Sequence, residues 1–345
     1  MRVARENFLK VLESVTPGLA SRETVEQSSC LVFDKGRVVT FNDSVACSRE
    51  SPIDIQGAVK AKPILDLLSK MNEDDIEIRI DGESMLIEGV RRKAKLRMEH
   101  DVTLPISSVE TPDTWRKLDP DFSEAISIVH SCASTEESQF ELTCIHIHPD
   151  FVEACDRFQL ARFPVATGVP HPILVKAESI KKIIGFDMTE VCETESWIHF
   201  RNPAGLVLSC RRYLDQYKDL SRFLSPEGTE PATLPGGLEE VVKRAEVFSI
   251  DNAAGNHLII ELKADRVMIQ GEGTSGWYRE MKEAKYSGPP TRFIISPKLI
   301  SEVVKKTNDV RIGDGRVFVD GGKFKFSAVT DVPAEKPTET SSSKE

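Results

Sequence analysis

The chain has 345 residues, 40% hydrophobic and 29% charged, with 45 lysines and arginines against 55 aspartates and glutamates for a net charge of −10. Such a chain can form two or three domains with sizeable cores, and its charge excludes a uniformly basic nucleic-acid binder but not a basic patch on an acidic body. No apolar run approaches the roughly 18 residues of a membrane span, the first residues lack a secretory leader's apolar core, and seven scattered cysteines without a Cys-x-x-Cys pair predict reduced thiols in a cytoplasmic protein.

In chain order, Phe8, Leu9, Val11 and Leu12 predict a short amphipathic helix. Residues 59–68 read as a strand end running into a second helix, with Ile64, Leu65, Leu67 and Leu68 as its apolar pairs. Alternation over 76–80 and 84–88 about Asp81-Gly82 predicts an antiparallel hairpin. Thr111-Pro112-Asp113 marks a boundary, and the order begins again. Ala125, Ile126, Ile128 and Val129 predict a helix, 175–184 another strand-to-helix segment, and 197–200 with 205–209 a hairpin about Asn202-Pro203. After a second boundary at 226–231, Leu238, Val241 and Val242 open a third round. It continues with 295–304 and with strands at 310–312, 316–319 and 323–326, turning at Asp314-Gly315. Residues 331–345 have too few apolar side chains to offset the entropy of ordering, and disorder is expected there.

The three strand-to-helix segments start at residues 59, 175 and 295, about 115–120 apart. This repeat predicts an α+β fold of three domains, 1–118, 119–233 and 234–330, followed by the tail 331–345. Each domain would pack two helices on antiparallel sheets. Each repeated helix also carries a net charge of +2: Lys60, Lys62 and Lys70 against Asp66, Lys176, Lys181 and Lys182 against Glu178, and Lys298, Lys305 and Lys306 against Glu302. One such helix is most simply a solvated face. Three in equivalent places of an acidic chain predict a surface that neutralises phosphates without reading bases.

Two further motifs suggest other chemistry. Gly271, Gly273 and Gly276 match the dinucleotide-binding pattern, which would make the chain a nucleotide-dependent enzyme. Only about ten residues, many charged, follow before Ser287-Gly288-Pro289-Pro290, too few for the helix of a parallel βαβ unit. A loop between antiparallel strands is therefore expected. Cys144, His146 and His148 share one strand face and Cys155 follows, but no fourth zinc ligand stands at a convincing spacing. No nucleophile elbow or P-loop occurs, so neither an enzyme nor a cofactor is expected.

Taken in order, several stretches resemble the bacterial beta sliding clamp, the DNA polymerase III beta subunit family. Residues 82–87, Gly-Glu-Ser-Met-Leu-Ile, are similar to its first-domain hairpin, and Thr103-Leu104-Pro105 with Asp113-Thr114-Trp115 to its first interdomain link. Residues 154–161, Ala-Cys-Asp-Arg-Phe-Gln-Leu-Ala, stand where the family has Ala-Thr-Asp-Gly-His-Arg-Leu-Ala. Residues 214–217 and 222–224 resemble the run leading into the third domain, and Tyr286-Ser287-Gly288 with Phe293-Ile294-Ile295 the entry to its last helix. The resemblance spans about residues 1–330. Arg157-Phe158-Gln159 replace the family's Gly-His-Arg, Lys218 replaces a proline, and a hydrophilic tail replaces the usual Met-Pro-x-x-Leu ending.

The resemblance implies a non-enzymatic clamp: a head-to-tail homodimer whose six domains form a ring around duplex DNA, with helices lining the hole and sheets outside. A clamp loader would place it, and a tethered DNA polymerase would gain high effective concentration near its template. Arg22 and the nine lysines above would face DNA. Leu142, Cys155, Arg157, Phe158, Leu160, Lys218, Arg222, Phe223 and Val329 would form a pocket for partner peptides. Val247 and Phe248 would lie at the ring interface. A clamp-like scaffold without polymerase tethering is the alternative.

Overall fold

The computed structural model describes residues 1–109, 112–250, 256–286, 288–313 and 315–330. The predicted tail 331–345, Thr111 of the first boundary and Asp314 of the last turn lie outside them. The helices among the described residues are α1 (Arg5–Ser14), α2 (Ala61–Lys70), α3 (Phe122–Val129), α4 (Ala177–Ile180), α5 (Leu238–Ser249) and α6 (Pro297–Lys306).

Local chemistry sets their ends. Pro63 sits in the first turn of α2, where no intrahelical N–H bond is lost, and Lys70 sits in the last turn, where a cation suits the exposed carbonyls. In α6 the Ser296 hydroxyl accepts from Leu299 N at 3.2 Å and Pro297 follows as the first helical residue. α5 starts after Gly237, whose φ of 72° favours glycine, and carries Glu239 and Glu240 in its first turn. The predicted helix through 184 is cut short. α4 has four residues and runs into a 3-10 turn at Lys181–Ile183, closing at Gly185 with φ of 89°. The β-branched Ile180, Ile183 and Ile184 favour helix weakly, and the Lys182 ammonium is drawn to Pro17 O at 2.6 Å.

The chain forms two compact units. The first comprises 1–127, 144–152 and 165–217. In it Arg2–Ala4, Asp75–Ile80, Ser84–Gly89 and Arg92–Glu99 pair antiparallel in succession. A second ladder runs Cys30–Asp34, Arg37–Phe41, Val45–Glu50, Val207–Tyr213 and Trp197–Arg201. Leu208 opposite Cys47 joins text from the first and second repeats into one continuous sheet. Phe8, Leu12, Ile64 and Leu68, one face of α1 and of α2, are fully buried, each stabilising by roughly 1.5–3 kcal/mol. Trp197 packs with Cys30, Val32, Phe41, Ala46, Ala58 and Leu104.

His199 lies inside this unit. Its Nδ1 is 2.7 Å from Ser209 Oγ, its neighbour in register, and Nε2 is 3.4 Å from Thr194 Oγ1. Burial pushes its pKa down from 6.5 to about 4. The unfolded chain therefore takes up the proton first as pH falls. The stability from keeping this ring neutral is complete above pH 6.5 and is lost progressively towards pH 4, a total of roughly 3 kcal/mol. Urea midpoints from pH 7 to 4 should fall less steeply in His199→Gln than in the parent. Parallel profiles would refute this assignment.

The described part of the second unit lies within 128–143, 153–164 and 218–330. Gln159–Pro164 pairs antiparallel with Lys325–Val329, which pairs with Arg316–Asp320, then Asp309–Gly313 and Glu230–Thr233. A separate four-stranded sheet runs Gly276–Glu283, Arg266–Gly273, Leu258–Lys263, Thr291–Ile295. The 271–276 glycines belong to its hairpin, with Gly273 opposite Gly276. Gly271 is explained by packing: a Cβ there would meet the Ala245 carbonyl of α5 at 1.8 Å.

Candidate functional site

The second unit contains a groove of about 370 Å³. Its frame is the strand Gln159–Pro164 with the turn at 155–159 before it, the strand Lys325–Val329 paired to that strand, and the 3-10 turn Ser221–Leu224. Of the residues predicted for a partner pocket, Cys155, Arg157, Phe158, Leu160, Phe223 and Val329 line it. Phe158, Phe223 and Val329 are 42%, 37% and 39% exposed. Large apolar side chains left open around a concavity are the usual mark of a binding site.

Leu142, Lys218 and Arg222 do not line the groove. Leu142 is half-buried in the turn Phe140–Thr143, Lys218 is exposed, and the Arg222 guanidinium stacks 4.5 Å over the Phe223 ring. Gln159, Leu220, Gly315, Arg316, Ser327 and Ala328 line it without having been predicted. Gly315 and Arg316 lie over 150 positions from Phe158, and only strand pairing brings them there. Gln159 stood within the resembling motif.

The hairpin turn is tightly held. Asp156 Oδ1 accepts from Phe158 N at 3.0 Å and Gln159 N at 2.9 Å. Its Oδ2 accepts from Gln159 Nε2 at 2.9 Å and lies 3.2 Å from His257 Nε2. Gln159 Oε1 accepts from Ser296 N at 3.1 Å, tying the turn to the start of α6. Val329 N donates to Phe158 O at 2.7 Å. Arg157 has φ of 85°, in the region that favours glycine, where the resembling motif has one.

The predicted DNA-facing residues are differently engaged. Arg22, Lys62 and Lys70 are exposed and make no ion pair among the described residues. Lys60 pairs with Glu23 at 2.5 Å and Lys181 with Glu178 at 2.6 Å. Lys182 is half-buried on Pro17 O, so its amine serves the first unit's own structure. Lys176 and Lys298 are half-buried and Lys305 is exposed; the Lys306 side chain lies outside the described residues.

Val247, predicted for an interface, is 64% exposed on α5, and Phe248 stacks on Tyr278 with centroids 6.2 Å apart. Ile250, Trp277 and Met281 are also exposed. Trp277 and Met281 belong to Gly276–Glu283, the end strand of its sheet. In the first unit, Arg92–Glu99 pairs on one side with Ser84–Gly89 and on the other only through Met98 and Glu99, which leaves its basic beginning as a sheet edge among the described residues.

His146 stacks on Tyr217 and His148 on Phe151, with centroids 4.7 and 4.4 Å apart. No cluster that could hold a metal ion occurs among the described residues, and no described helix is long and apolar enough to cross a membrane.

No family model matches the sequence, and no curated protein sequence does. Solved structures do match. A putative DNA polymerase III beta subunit from Eubacterium rectale is 15% identical, with a TM-score of 0.74 over 96% of this chain and 98% of its own. A Pseudomonas aeruginosa sliding clamp bound to griselimycin gives 15%, 0.73, 96% and 99%. The Thermotoga maritima beta subunit gives 14%, 0.73, 96% and 99%. Over nearly its whole length, this chain has the fold of the DNA polymerase III beta subunits, the sliding clamps.

Proposed function

We propose that this protein is a DNA sliding clamp. The observation that carries the reading is the match of fold over 96% of the chain to proteins that are themselves clamps from end to end. In this reading it is a cytoplasmic, non-enzymatic protein of three repeated domains, 1–118, 119–233 and 234–330. Two copies close head to tail into a ring of six domains around duplex DNA. A clamp loader places the ring, and a DNA polymerase is tethered through the groove.

Three features support it. Sheet edges seek partners, and a head-to-tail dimer would join the basic edge at Arg92–Glu99 of one copy to the apolar-flanked edge at Gly276–Glu283 of the other, with Val247 and Phe248 beside the seam. The groove presents apolar side chains suited to a short linear peptide. Arg22, Lys62 and Lys70 present cations suited to phosphates, with Lys60, Lys176, Lys181, Lys298, Lys305 and Lys306 as further contacts. The amine of Lys182 is committed to Pro17, so its contribution to DNA would be the long-range charge alone.

Small-angle X-ray scattering tests the assembly. The expected mass is twice 38.5 kDa, with the pair-distance distribution of a hollow disc. A solid monomer at micromolar concentration would overturn the ring. A ring that binds no peptide of its own replicase would instead be a scaffold without polymerase tethering.

A further inference from the structure

The groove has a charge pattern as well as apolar walls. Two arginines, Arg157 and Arg316, line it and no carboxylate among the described residues does, in a chain of net charge −10. Arg222 adds a third cation over Phe223. The neighbouring carboxylates are turned to other uses. Asp156 holds the hairpin turn, and Asp219 Oδ1 accepts from Ser221 N at 2.9 Å.

The two lining arginines differ in freedom. Arg316 Nη2 is fixed on Ser225 O at 3.1 Å and Glu227 O at 2.7 Å. Arg157 donates from Nε to Gln139 Oε1 at 3.1 Å, and its Nη2 lies 3.5 Å from Glu136 Oε2. The Arg157–Glu136 pair is open to water, with side chains 47% and 66% exposed. An exposed pair of this kind holds weakly, so another carboxylate can take Glu136's place. Arg157 also occupies a backbone conformation unfavourable to any residue but glycine. An unfavourable backbone that carries a cation to the lip of an apolar groove points to recognition.

We propose that the groove selects an extended partner peptide whose apolar anchors are flanked by a carboxylate, and that Arg157 reads that carboxylate. This rests on the groove being the partner site. Phe158, Phe223 and Val329 take the apolar anchors, which every partner would share. The guanidinium supplies a charge-assisted hydrogen bond only to partners with Asp or Glu beside them.

Fluorescence anisotropy on the full chain tests this with three labelled peptides. They share one Leu-Phe pair and differ only in a flanking Asp, Asn or Lys. The Asp peptide should bind about threefold tighter than the Asn peptide at low salt, the scale of one solvent-open ion pair, with the Lys peptide weakest. Arg157→Gln should bring the Asp-over-Asn ratio close to one, and Arg157→Lys should keep part of it. Phe223→Ala should weaken all three peptides alike. Equal binding of the Asp and Asn peptides, or a preference untouched by Arg157→Gln, overturns the proposal and leaves the groove as the partner site. Binding of none of the three overturns the groove reading and the proposal with it.

Discussion

Trp197→Ala should destabilise the first unit by about 3–5 kcal/mol, the range for deleting a large buried aromatic side chain. Trp197 is 1% exposed, its ring lies 5.9 Å from that of Phe41, and the Arg211 guanidinium sits 4.8 Å over the indole. Its surroundings, Cys30, Val32, Phe41, Ala46, Ala58 and Leu104, come from the first repeat, whereas the tryptophan comes from the second. The cavity would therefore open at the join between repeats. The strand pairing of Val45–Glu50 with Val207–Tyr213 would remain, but without the packing behind it. Equilibrium urea unfolding checks this, with Trp197→Phe expected to lose much less. A loss below about 1 kcal/mol for the alanine variant would show that the cluster collapses around the gap.

Reversing charge at Arg22, Lys62 and Lys70 together should weaken affinity for short duplex DNA at least tenfold at low salt. The dependence of log affinity on log salt should become shallower by about 0.9 for each phosphate that is no longer neutralised. These three are chosen because they face solvent and make no ion pair among the described residues, so their reversal breaks no ion pair and costs the unit only the favourable charge of Lys70 at the end of α2. Lys182 is left in place because its bond to Pro17 O is internal. Scattering mass should stay that of the parent. Unchanged affinity and salt slope in a correctly assembled variant would remove these residues from the DNA surface.

The two effects come from different levels of the molecule. The hairpins read at 76–88 and 197–209 and the helices α1, α2, α5 and α6 were legible because each rests on a local period or on turn residues, such as Asp81-Gly82 or Asn202-Pro203, that the chain displays by itself. The antiparallel setting of Gly271–Gly276 was legible for the same reason, since too few residues followed for a helix. The motif at 154–161 was legible in part: its resemblance to the family motif placed Cys155, Arg157, Phe158 and Leu160 at a pocket, whereas the role of Asp156 in holding the turn came only with the structure.

Non-local pairing settled what the sequence left open. The groove exists because Gln159–Pro164 and Lys325–Val329 share a ladder, which carries Arg316 and Ala328 to Phe158 across more than 150 residues of chain. The sequence reads residues 323–326 as a strand, but not which free edge that strand will meet. The same holds for Leu208 opposite Cys47, which fuses two repeats into one compact unit. It holds for Lys182, an ordinary helical lysine by sequence, whose ammonium finds a backbone carbonyl 165 positions away and helps end α4 after one turn. The sequence determined which segments form strands and helices and where basic charge recurs. The tertiary structure alone decided which edges pair and which cations stay open to solvent, because both depend on groups that are distant in the chain and become neighbours only on folding.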